Sequence, residues 1–153
     1  MKRFFVVLIL TLVIAGGLTY FMPMDFDAYL ADIATDGVVS IYCRQSELDG
    51  INMGNGQIVQ GKVCELQTLL KKCQGVDGVS VSFDGCEADV DRIAELLNLN
   101  VTHQYSLDGI DVVCGLSFKI RGGVVLDGQT VNVQIALKDG KVTVGSPLIL
   151  GSY

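Results

Sequence analysis

The chain has 153 residues, 50% of them hydrophobic and 7% aromatic, with 17 acids against 11 bases and a net charge of −6. That length allows one modest domain with its own core. The acidic balance repels phosphate backbones, so nucleic acid is not expected as a partner.

Residues 4–22 (FFVVLILTLVIAGGLTYFM) carry no charge and follow Lys2 and Arg3. An apolar run of about 20 residues spans a hydrocarbon core as a helix. Flanking positive charge stays on the cytoplasmic side, which sends residues 23–153 outside. A cleaved secretory segment starts in the same way but ends at a small-x-small site, and Ala15-Gly16-Gly17 is the nearest approach to one. Residues 1–22 are therefore expected to be a signal anchor or a signal peptide. Both place the rest of the chain outside the cell, either single-pass in the membrane or secreted. The membrane is then a partner through residues 4–22. Without Lys2 and Arg3, nine bases face 17 acids, a net −8.

Pro23 ends that run. Residues 23–36 read as a linker or short helix just outside the bilayer, with Phe26, Leu30 and Ile33 at near-helical spacing. A single α+β domain is expected over residues 37–153. Its first strand is GVVSIYC (37–43). Residues 44–61 are glycine-rich, with a further strand read at 56–60. A helix is expected over 62–73, where Val63, Leu66, Leu69, Leu70 and Cys73 fall on one face. Residues 78–83 read as a strand carrying Val79, Val81 and Phe83. A second helix is expected over 87–98, with Val90, Ile93, Ala94 and Leu97 on one face and Glu87 and Asp89 in its favourable first turn.

Asp-Gly occurs seven times, and three copies separate strand-like runs. Asp108-Gly109 divides 101–107 from 110–120, Asp127-Gly128 divides 123–126 from 129–138, and Asp139-Gly140 divides 129–138 from 141–150. This dipeptide supplies the positive φ angles of a two-residue type I′ hairpin turn. Val131, Val133, Ile135 and Leu137 alternate with Asn132, Gln134 and Ala136, a period of two with one buried face. The C-terminal half thus reads as an antiparallel meander. Two helices packed on one face of an antiparallel sheet complete the expected α+β fold.

Residues 131–147 (VNVQIALKDGKVTVGSP) resemble the closing motif of the YwmB-like family, exported proteins of Gram-positive bacteria with no established activity. The matching residues are Asn132, Gln134, Ile135, Ala136, Leu137, Val144, Gly145 and Pro147. The resemblance implies a fold like the TATA-box-binding protein, a curved antiparallel sheet backed by helices. It does not imply DNA binding, which needs a basic face with apolar wedges.

Few residues invite a chemical role. The five cysteines contain no CxxC, and an odd number in an exported chain leaves at least one thiol unpaired. Small buried hydrophobes account for most of them. His103 is the sole histidine and shares an alternation with Val101 and Tyr105, with Thr102 and Gln104 on the other face. The carboxylate pairs Asp108/Asp111 and Asp84/Glu87 are turn and cap residues first. Lys62, Lys71 and Lys72 read as a solvated helix face. No DxDxDG, Walker, GxSxG or HExxH motif occurs. No catalytic residue, cofactor or metal ligand set is therefore expected. The expected function is a non-catalytic envelope module that binds a protein or cell-wall component through its sheet or an edge strand. The alternative is a small hydrolase or thiol enzyme using His103 and a cysteine.

Overall fold

A computed structural model describes residues 23–151. The expected anchor or signal segment, residues 1–22, lies outside the described residues. Among those described, no helix is long and apolar enough to cross a membrane.

The chain builds an α+β fold dominated by antiparallel sheet, with three short helices. A 3-10 turn over Phe26–Tyr29 runs into α1 (Leu30–Ile33). Strands β1 (Val38–Ser46), β2 (Ile51–Asn52) and β3 (Gln57–Lys62) lead to α2 (Leu66–Lys71). Then come β4 (Cys73–Asp84), α3 (Glu87–Leu96), β5 (Asn100–Leu107) and β6 (Ile110–Leu116). A small hairpin of β7 (Val124–Leu126) and β8 (Gln129–Val131) precedes β9 (Val133–Lys138) and β10 (Lys141–Ser146). The main sheet has the order β2-β3-β1-β4-β10-β9-β6-β5. Strands β5, β6, β9 and β10 form the expected meander, interrupted by the β7–β8 excursion.

One core joins the helices to one side of this sheet. Val39, Ile41, Val81, Ile135, Val142 and Val144 from the strands are all completely buried there with Leu30, Ile93 and Leu97. Burying one such side chain contributes about 1.5–3 kcal/mol. Phe26 and Ile33 join the same core at 4% and 1% exposure, so the segment 23–36 forms the expected short helix and is built into the domain.

All three expected Asp-Gly hairpins are present. Leu107 faces Ile110, Leu126 faces Gln129 and Lys138 faces Lys141 across two-residue turns. Asp108, Asp127 and Asp139 have φ of 52°, 47° and 49°, and each following glycine is also positive, as type I′ requires. An added Cβ at Gly140 (φ 75°) meets nothing within 4 Å. The cost of Gly140→Val is therefore conformational alone, about 1–2 kcal/mol. Chemical denaturation should show that loss with an unchanged m-value.

Several boundaries differ from expectation; the strands read over 110–120 and 141–150 end at Leu116 and Ser146, and the helix read over 87–98 ends at Leu96. The helix expected over 62–73 stops at Lys71, and Cys73 opens β4. Strand β4 is twice as long as the run 78–83, because β1 supplies a ladder partner as far as Cys73. The strand read over 129–138 breaks at Asn132, which puts Val131 into a second small core with Val112, Cys114 and Ala136. Asn132 is 1% exposed and clamps the turn after β6. Its Oδ1 accepts from the Ser117 N–H, and its Nδ2 donates to the carbonyls of Ser117 and Ile120, each at 2.8 Å. Finally, β5 carries a bulge between Val101 and His103, which breaks the expected alternation there.

The side of the sheet away from the main core is lined in part by small polar residues. Gln60 Nε2 donates to Ser40 Oγ at 2.9 Å, and Ser82 Oγ lies 3.0 Å from Thr143 Oγ1. After β10 the chain folds back over this side. Ile149 N–H donates to Gln134 Oε1 at 3.0 Å and Leu150 N–H to Ser80 Oγ at 3.3 Å. Gly145 permits the crossing, since a Cβ there would collide with the backbone of Leu148 and Ile149.

Candidate functional site

The residues singled out from the sequence do not converge. Asp84 pairs loosely with Lys141 at 3.7 Å, both well exposed. Glu87 opens α3, Asp108 is a turn residue, and Asp111 sits on β6 opposite Leu137. Among the described residues, no group of three or more His, Cys, Asp or Glu side chains is placed to hold a metal ion.

His103 has two polar neighbours. The β5 bulge lets Thr102 Oγ1 approach its Nδ1 at 2.9 Å, and Asp127 Oδ2 lies 3.9 Å from its Nε2. The Thr102 hydroxyl also lies 3.3 Å from the Cys114 carbonyl. The hydroxyl has one proton for these two neighbours, and the tautomer of His103 decides which of them receives it. Asp127 is 92% exposed and too distant for a hydrogen bond, so it orients nothing strongly.

The five thiols are free. Cys114 faces His103 in register, yet burial pushes its thiol above the ordinary value. Burial, and secondarily the neighbouring Cys73 thiol, push Cys43 up to about 11. Cys43 and Cys73 are offset by three residues on paired strands, since Cys43 faces Val76 and Cys73 faces Ser46. Their thiols nonetheless approach to hydrogen-bonding range. Cys64 and Cys86 are exposed.

A thiol titration at pH 8 should therefore show two fast groups, Cys64 and Cys86, with Cys43 and Cys114 reacting only on unfolding. Cys43 is raised from 9.0 to about 11, so its contribution to stability is full below pH 9 and is lost as pH rises through about 11. The thermal midpoint should fall across that window, and Cys43→Ser should flatten the fall.

The prominent concave feature is a groove of about 780 Å³ at one end of the sheet. One wall is the margin of β4 at Val76, Asp77 and Gly78; the facing wall is Gly122, Gly123 and Val124. Gln67, Leu70 and Lys71 of α2, the segment Asp25–Asp27 and Ser146-Pro147 complete it. Three features of the fold create it. Strand β10 pairs with β4 only from Asp84 to Val79 and ends at Ser146. Beyond Val79, β4 continues to Cys73 with β1 as its sole strand neighbour among the described residues. The chain from Pro23 is fastened along residues 119–121, through Met24 N–H to the Lys119 carbonyl and Arg121 N–H to the Met24 carbonyl. Arg121 Nε donates to the Pro23 carbonyl at 2.6 Å.

No linear motif marks this groove, because its lining comes from five separate segments between residues 25 and 147. Comparison with protein-family models, curated proteins and solved structures found no match to this chain.

Proposed function

We propose that the chain is a non-catalytic module of the cell envelope, held at the membrane by residues 4–22 or secreted, which binds a protein or cell-wall partner. The groove carries this reading. It is open and walled largely by consecutive backbone residues, with no convergent acid, base and nucleophile. Its position agrees with a surface close to the bilayer. Asp25 and Arg121, two of its lining residues, flank the point where the described chain begins. Met24 and Phe118, exposed by 50% and 76%, lie near that point with Lys119 and Arg121. Apolar side chains mixed with basic ones suit a lipid headgroup region. Kinship with the YwmB-like family, on residues 131–147, belongs to the same proposal.

The test is complementation of a deletion strain. His103→Ala should accumulate and complement like the unaltered protein, because its contacts stand outside the groove. Protease added to intact protoplasts should digest the domain. A normally accumulating His103→Ala that fails to complement would overturn the non-catalytic reading, and a fully protected domain would overturn the location.

A further inference from the structure

We infer that the groove beside β4 takes a short, extended, positively charged polypeptide segment, which adds to the β4 margin in the line that β10 vacates. This rests on the binding reading above and names its site and the chemistry of its partner. Strand addition supplies affinity through main-chain hydrogen bonds, and flanking pockets supply selectivity. Here β10 ends at Ser146 opposite Val79, and the next stretch of β4, Val76 to Gly78, lines the groove without a strand on that side among the described residues. The facing wall, Gly122 to Val124, is glycine-rich backbone, so an entering segment lies between two stretches of main chain.

The same geometry disfavours a second copy of this chain as the occupant. Gly75 has a positive φ of 63°, and the β1–β4 pairing is bulged where Asp77 intervenes between Val76 and Gly78. Such irregularities keep whole sheets from joining edge to edge. They leave a ladder about three residues long, about 10 Å, which fits a short segment.

Charge selects the sign of the occupant. Three carboxylates, Asp25, Asp27 and Asp77, line the groove against Lys71 and Arg121. Arg44 Nε lies 3.3 Å from Asp77, and Arg121 keeps its charge while donating to the Pro23 carbonyl, so the lining itself is close to neutral and the sign is set by the chain around it. The surrounding chain from residue 23 onward carries nine bases against 17 acids, so its field draws cations toward this opening.

The experiment uses the full chain in mild detergent and a fluorescent hexapeptide of alternating lysine and valine with a central benzoylphenylalanine. The peptide should bind and crosslink to residues 76–79 and 122–124. A glutamate–valine hexapeptide should not bind, and methylating alternate backbone nitrogens of the lysine peptide should abolish binding. The double variant Asp25→Asn, Asp27→Asn should bind about tenfold more weakly, the scale of two partly exposed charge pairs. Its unchanged thermal midpoint would show that the fold is intact. Equal binding of the methylated peptide, crosslinks elsewhere, or no binding of the lysine peptide would each overturn the inference. So would a dimer of the chain crosslinked groove to groove. Failure of the broader binding reading is seen separately, in the complementation by His103→Ala, so the two failures are distinguishable.

Discussion

Asn132→Ala should cost about 3–5 kcal/mol and lower the unfolding midpoint accordingly. The side chain is 1% exposed and makes three hydrogen bonds of 2.8 Å to backbone groups of the turn after β6. Alanine leaves one buried N–H and two buried carbonyls without these partners. A buried group stripped of its partner costs about 1–3 kcal/mol, and the small cavity adds to that. Asn132→Asp tests the same point with little change in volume. Its carboxylate still accepts from Ser117 N–H but faces two carbonyl oxygens that it cannot donate to. Urea denaturation of both variants measures the effect. A loss under about 1 kcal/mol for alanine would mean that water replaces the amide at little cost.

The second large effect is expected from deleting residues 144–153. These residues include half of β10, which lies between β4 and β9 in the middle of the sheet. Val144 is completely buried, and Val144, Gly145 and Ser146 pair with Val81, Ser80 and Val79. The deletion exposes margins on two central strands and removes the Ile149 and Leu150 bonds to Gln134 and Ser80. The truncated chain should not fold, and limited proteolysis should degrade it without a stable fragment. Ending the chain after Ser146 is the milder control, because every β10 pair then remains. A protease-resistant product from the deeper deletion would show that β4 and β9 re-pair without β10.

The hairpins were legible because Asp-Gly encodes its backbone conformation in two adjacent residues. Val133 and Ile135 lie in the main core as their alternation implied, but the single buried face read there is wrong, since Asn132, Gln134 and Ala136 are buried on the other side. The stripes of Ile93 with Leu97 and Leu66 with Leu69 were legible for the same local reason. Three features were not. The stretch Cys73–Asp77 has no alternation and includes Gly75, and it is a strand because β1 lies beside it. Asn132 sits in a regular alternating run, and its role depends on Ser117 and Ile120, which are 15 and 12 residues away. The groove has no sequence signature, since it is the space left where β10 ends before β4 does. Three polar or small positions of the C-terminal run have separate structural roles. Asn132 clamps a turn, Gln134 holds Ile149, and Gly145 lets the C-terminal segment pass.

The place of β10 also sets a clock on folding. The first half of the sheet, β3-β1-β4, is synthesised early, but its next neighbour is the last strand to be made. The Ser82–Thr143 pair closes a span of 61 residues. Contacts of such separation form late and slowly compared with hairpins. A chain that emerges from its N-terminus therefore presents β4 bare along its whole length, from Cys73 to Asp84, until residues 141–146 arrive. During that interval the margin is twice as long as the part left open in the finished protein. Chaperoning of the nascent chain should matter most in this window, when neighbouring chains offer the same bare strand to one another.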